Sequence, residues 1–183
     1  MKVVPARIPE VLLLEAKVFG DDRGFFLERY NKRTFAADTG LDIDFVQDNH
    51  SRSMQNVLRG LHYQVRQPQG KLVWVVSGEI YDVAVDMRRR SPTFGQWAGF
   101  ALSAEDRQMA WIPPGFAHGF LVVSEAAEVL YKTTDYYAPE HERTLLWNDP
   151  VLGIAWPLGE GAAPLLAQKD RDGLPLQSCE LFD

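Results

Sequence analysis

Two of the chain's four histidines, His62 and His118, sit in segments suited to proton transfer. His62 belongs to Leu58-Arg59-Gly60-Leu61-His62-Tyr63-Gln64, which reads as a strand with a base beside an aromatic ring. His118 closes Ile112-Pro113-Pro114-Gly115-Phe116-Ala117-His118-Gly119-Phe120, a Pro-Gly turn feeding a second apolar strand. An imidazole has an unperturbed pKa of about 6.5, so at neutral pH it can take up a proton and return it. A lone histidine is more often a hydrogen-bonded structural residue. What singles these two out is their placement on stiff, apolar elements.

Those elements are mainly strands. Runs at 11–19 and 25–30 flank the turn Gly20-Asp21-Asp22-Arg23-Gly24. Further runs follow at 44–49, 57–65, 71–76, 80–87, 97–102, 108–112, 119–123 and 129–135. Tyr81-Asp82-Val83-Ala84-Val85-Asp86 alternates polar and apolar residues, which predicts a strand with unlike faces. One short helix is expected at 31–37, with Asn31 as its N-cap and Gly40 ending it. Many short strands with turns between them point to a mainly β sandwich or barrel, a class that includes jelly rolls. From Ala138 onward, Pro139, Pro150, Pro157, Pro164 and Pro175 predict irregular chain, 138–183, wrapping a body already built.

Composition narrows the partners. With 46% hydrophobic and 24% charged residues over 183 positions, the chain suits one globular domain, 1–183. Nineteen Lys and Arg stand against 25 Asp and Glu, a formal net charge of −6, with no basic stripe for nucleic acid. Cys179 is the only cysteine, so no internal disulfide forms, and cytoplasmic location is the expectation. No apolar run is long enough to span a membrane as a helix.

The segments around His62 and His118 resemble the paired motifs of cupins, and Pro114-Gly115-x-x-His118 is the more specific half. Metal-binding cupins use two histidines and a carboxylate in the first motif and one histidine in the second. Here Gln64 stands where the second histidine would be, no acid precedes Lys71 at the carboxylate position, and Lys71 would repel a cation. No metal and no cofactor are therefore expected.

The resemblance sharpens at Phe45-Val46-Gln47-Asp48-Asn49-His50-Ser51, Val57-Leu58-Arg59-Gly60-Leu61-His62-Tyr63-Gln64 and Gly70-Lys71-Leu72-Val73. It continues through Asp82-Val83-Ala84-Val85-Asp86, Ser91-Pro92-Thr93-Phe94-Gly95-Gln96-Trp97 and Trp111-Ile112-Pro113-Pro114-Gly115-Phe116-Ala117-His118-Gly119-Phe120. Tyr131-Lys132-Thr133-Thr134-Asp135-Tyr136-Tyr137 and Lys169-Asp170 complete the set. In this order, over nearly the whole chain, these strings resemble the dTDP-4-dehydrorhamnose 3,5-epimerases. Two positions depart from the family pattern: Trp74 stands where a basic residue is frequent, and Asn56 where glycine is. Asparagine tolerates a left-handed turn, so the second change is mild.

The resemblance implies a cupin-type jelly roll and a nucleotide-linked 4-keto-6-deoxy sugar as substrate. Inverting a carbon beside a ketone needs a base on one face, an acid on the other, and donors at the carbonyl oxygen to hold the enolate. By resemblance, His62 is the base, Asp170 holds its second ring nitrogen, and Tyr131 is the acid. Lys71 and His118 are the candidates for the enolate oxygen. Arg59 and Arg23 would take the diphosphate, while Gln47, Asp48 and Asn49 would contact the nucleotide. Tyr137 would stack on the base, with Glu142 and Lys169 as further ligand contacts. Arg23 and Glu28 would reach a neighbouring subunit's site in a homodimer with exchanged N-terminal strands.

Strict alternation puts Arg59 and His62 on opposite faces of a strand, so a shared cavity requires a bulge near Gly60. Three competing readings remain: an epimerase acting at one carbon only, a metal-dependent cupin oxygenase, and a non-enzymatic nucleotide-sugar binder.

Overall fold

A computed structural model spanning residues 1–183 resolves the alternating segment at 81–86 into a strand whose two faces are both covered. The chain opens with β1 (Lys2–Pro5), β2 (Leu12–Glu15), a hairpin of β3 (Val18–Asp21) and β4 (Gly24–Leu27), and helix α1 (Lys32–Thr39). The body follows as β5 (Gln47–Met54), β6 (Leu58–Gln64), β7 (Lys71–Ser77), β8 (Glu79–Asp86) and β9 (Trp97–Ser103). It ends with β10 (Gln108–Ile112), β11 (Phe116–Val122) and β12 (Ala126–Thr133). In the tail lie a short strand β13 (Glu142–Thr144) and a one-turn helix α2 (Gln168–Arg171).

The strands form a six-stranded sheet ordered β1-β2-β10-β7-β12-β5 and a five-stranded sheet ordered β13-β6-β11-β8-β9. Every pairing is antiparallel, and the two sheets pack as a cupin-type sandwich. Val73, Val75, Ala110, Ile112 and Val129 of one sheet meet Ile80, Ala84, Phe116, Phe120 and Val122 of the other. Burying the larger of these side chains, the valines, isoleucines and phenylalanines, is worth about 1.5–3 kcal/mol each.

The outer faces are covered differently. On the six-stranded sheet, α1 lays Phe35 against Leu14, Leu72, Trp74, Met109 and Trp111. The Asn31 side chain accepts from the Arg33 and Thr34 N–H groups, and Gly40 closes the helix with φ 76°. Trp74 thus packs on the face away from the space between the sheets. On the five-stranded sheet, Val83 and Val85 lie under Leu145, Leu152 and Leu176 of the tail. The faces of β8 are unlike, as the alternation predicts, and its acidic residues share the inward face with Ile80 and Ala84. Asp82 and Asp86 are fully buried because each has partners: Asp82 pairs with His118, and Asp86 accepts from Arg88, Ser91 and Thr93.

Three other expectations shift. β5 begins later than the run at 44–49 and extends to Met54, β1 was not expected, and the tail contributes β13 to the edge of a sheet. Asn56 adopts φ 63°, the left-handed turn its residue type tolerates.

The distortion expected at Gly60 is present. In the β6–β11 ladder His118 pairs with His62 while Phe120 pairs with Arg59, so β6 carries one extra residue. Gly60 has φ 116°, and the Gly60–Leu61 peptide is cis. A Cβ on Gly60 would lie 2.7 Å from the Gly119 Cα, so only glycine fits this approach of two backbones.

Candidate active site

The bulge re-aims β6 so that Arg59 and His62 line one cavity between the sheets, about 320 Å³ in volume. The five-stranded sheet supplies Arg59, His62, His118 and Glu142, and the six-stranded sheet supplies Gln47, Asn49, Lys71 and Tyr131. Tyr137, from the segment after β12, and Lys169 and Asp170, from α2, complete its functional groups.

His62 Nε2 lies 2.7 Å from Asp170 Oδ1. The carboxylate can only accept, so Nε2 carries the proton and Nδ1 keeps the lone pair. Asp170 is buried, and burial by itself would raise its carboxyl. The hydrogen bonds from His62 and from the Gly60 N–H outweigh it and hold the carboxyl below its usual value. The bulge glycine therefore also anchors the carboxylate that orients the imidazole.

A second His–Asp pair starts from the neighbouring strand, where His118 of β11 pairs with His62 of β6. His118 Nε2 is 2.9 Å from Asp82 Oδ2, and both residues are buried. Burial depresses His118, with Lys71 and His62 adding to the effect and Asp82 opposing it. His118 is thus a neutral ring whose N–H is given to Asp82. Lys71 sits beside it, its Nζ 3.4 Å from the His62 carbonyl. Burial lowers the Lys71 ammonium to about 8, although Glu142 and Asp82 pull the other way. Across the cavity, burial raises the Tyr131 phenol, partly offset by Arg59 and Lys169, so it stays protonated at neutral pH.

The nucleotide-facing groups are interlinked. Gln47 donates to Asn49 at 2.9 Å, and its carbonyl accepts the Tyr137 N–H at 3.0 Å. Glu142 pairs with Lys169 at 3.0 Å and accepts from the Tyr137 hydroxyl at 3.2 Å. Arg59 donates to Ser53 at 2.9 Å and keeps the rest of its guanidinium for a ligand.

Three expected site residues lie elsewhere in this chain. Strand alternation sends Asp48 to the outer side of β5, where it pairs with Lys132 at 3.0 Å. Arg23 sits at the exposed tip of the β3–β4 hairpin, paired with Asp21, and Glu28 accepts from Asn31 at 3.2 Å. Ser51, Gln69 and Phe120 line the cavity without having been singled out. Period-two spacing in Gln47-Asp48-Asn49-His50-Ser51 carried the signal for Ser51. Its hydroxyl and the Asn49 amide nitrogen are buried without a protein partner, which suits contacts to a ligand.

A family model described as dTDP-4-dehydrorhamnose 3,5-epimerase matches residues 5–178. The chain belongs to that family. It is 61% identical over 182 residues to the dTDP-4-dehydrorhamnose 3,5-epimerase of Pseudomonas aeruginosa, covering 100% of this chain and 99% of that one. The Salmonella typhimurium epimerase is 56% identical over 177 residues, covering 92% and 97%. A crystal structure of the Legionella pneumophila 3,5-epimerase in complex with dTDP-4-keto-L-rhamnose superposes with a TM-score of 0.94. Its identity is 49%, with 98% of this chain and 94% of that one covered. A 3'-monoepimerase from Streptomyces bikiniensis in complex with dTDP-quinovose shares the fold at TM-score 0.88 and 32% identity, covering 97% and 88%.

Proposed function

We propose that this isomerase inverts C3 and C5 of dTDP-4-dehydro-6-deoxy-D-glucose, yielding dTDP-4-dehydro-L-rhamnose for dTDP-L-rhamnose biosynthesis. One observation carries the reading: an imidazole held by a buried carboxylate and a protonated phenol come from opposite sheets to line the same cavity. His62 Nδ1 removes the proton beside the ketone, and the electron pair moves onto the C4 oxygen as an enolate. Tyr131 then delivers a proton to the opposite face; its phenolate is recharged from solvent and the His62 imidazolium gives its proton up to solvent before the second inversion. Deprotonation and reprotonation conserve electrons, so the step requires no redox cofactor.

Lys71 is the better partner for the enolate oxygen. At pH 7 it is largely an ammonium, whereas neutral His118 has given its N–H to Asp82 and offers only a lone pair. His118 is then an acceptor for a sugar hydroxyl. Arg59 takes the diphosphate, with Lys169 and Glu142 beside it, and Tyr137 stacks on the base between Gln47 and Glu142. Incubation with the keto-sugar nucleotide in heavy water, followed by NMR, tests this. Deuterium at both C3 and C5 with inversion at both is expected; label at one carbon alone would make it a monoepimerase.

The working unit in this reading is a homodimer. The β3–β4 hairpin exposes Phe19, Phe25 and Phe26 at 54%, 58% and 68%, too much apolar surface for a free hairpin. A second copy would cover it and receive Arg23 and Glu28 at its site. Light scattering should return twice the monomer mass. Mixing inactive Arg23→Ala with inactive His62→Ala protein should restore activity, and a monomeric mass would refute the exchange.

A further inference from the structure

Tyr137 stands in a stretch without regular structure, 134–138, and half of it is exposed. A loop aromatic of this kind binds well only if it is already in place, because ordering it on binding subtracts from affinity. Gln64 provides that order. Its side-chain amide donates to the Tyr136 carbonyl at 3.2 Å and to the Gln67 carbonyl at 2.8 Å, and it accepts the Ala138 N–H at 2.9 Å. The two backbone groups flanking Tyr137 are thus held by one side chain that is only 3% exposed. Gln64 leaves β6 two residues beyond His62, so strand alternation points it to the same side as the imidazole.

We infer that Gln64 is a positioning residue for the nucleobase, acting by fixing the backbone on both sides of Tyr137. The inference rests on the reading above that Tyr137 stacks on the base. Only a primary amide serves here. It offers two N–H donors for two carbonyls and an oxygen for an N–H, whereas an imidazole has two ring nitrogens in fixed directions and a carboxylate only accepts. A glutamate would set an anionic oxygen against two carbonyl oxygens. The position where a metal-binding cupin carries a ligand histidine is in this chain committed to the nucleotide loop.

The test is titration of dTDP by calorimetry into wild type, Gln64→Met, Gln64→Glu, Tyr137→Ala and the Gln64→Met/Tyr137→Ala pair, with kcat and KM from epimerisation. Methionine conserves volume and glutamate conserves shape, so either variant reads the effect if the other does not fold. Both should weaken dTDP about tenfold and raise KM in step, with kcat within about threefold of wild type. In the Tyr137→Ala background, Gln64→Met should add less than about twofold. Unchanged dTDP affinity in both Gln64 variants, an equal loss with and without Tyr137, or a fall in kcat at constant KM would overturn the inference. Wild-type affinity in Tyr137→Ala would instead remove the stacking role itself.

Discussion

Replacing Lys71 with methionine should stabilise the protein while abolishing its activity. The ammonium is buried, and burial lowers it from 10.5 to about 8. Each unit of such a shift is about 1.4 kcal/mol, so holding the charge in the folded state costs about 3 kcal/mol at pH 7. Methionine keeps the stem's packing and removes the charge. Asp82 and Glu142 lose a cation, but each retains a partner in His118 and Lys169. A net gain of about 1–3 kcal/mol is expected, and at about 2–4 °C per kcal/mol the rise in Tm is readily measured. The dependence on pH has a definite sign. Between pH 8 and 10.5 the unfolded chain still holds a proton that the folded one has shed, so wild-type stability rises with pH and the gap to Lys71→Met closes. Thermal melts at pH 7 to 10, with urea titrations at the ends of that range, measure this. A variant that melts below wild type at pH 7, or a gap that does not narrow, would refute the reasoning, and retained epimerisation would remove Lys71 from the enolate.

Other expectations follow from the same geometry. Asp170→Asn should reduce epimerisation by about 10²–10⁴-fold with dTDP binding intact, because an amide can no longer enforce the Nε2–H tautomer of His62; kcat beside a dTDP titration checks it. Gly60→Ala should destabilise by about 1–3 kcal/mol or more, since its φ of 116° suits glycine alone and the new Cβ would meet β11; urea unfolding measures the loss. The alkaline limb of the kcat profile should fall near pH 8 as Lys71 loses its proton, and Lys71→Arg should move that limb upward; an unmoved limb assigns it to another group.

Much of the fold was readable because its signals are local. Asn31 and Gly40 bound α1 by capping chemistry that needs no tertiary context, and the parity of Arg59 and His62 required the bulge that Gly60 supplies. What could not be read depends on distant partners. Asp82 is fully buried because His118, 36 residues further along the chain, satisfies its carboxylate. Asp170 reaches His62 across 108 residues, which spacing alone would leave as a surface acid. Residue type marked Gln64 only as a missing metal ligand; its hydrogen bonds to the Tyr137 loop emerge when β6 and 134–138 are brought together. Asp48 pairs with Lys132 away from the cavity that Gln47 and Asn49 line, because motif resemblance carries whole strings while a strand presents only alternate residues to one side.

The division of labour between His62 and Tyr131 is most directly tested by following deuterium at C3 and C5 by NMR in His62→Ala and Tyr131→Phe. Loss of all label uptake in the first, with uptake but no inversion in the second, is the expected pair of results. Wash-in at the wild-type rate without the imidazole, or full inversion without the phenol, would contradict the assignment of the two faces.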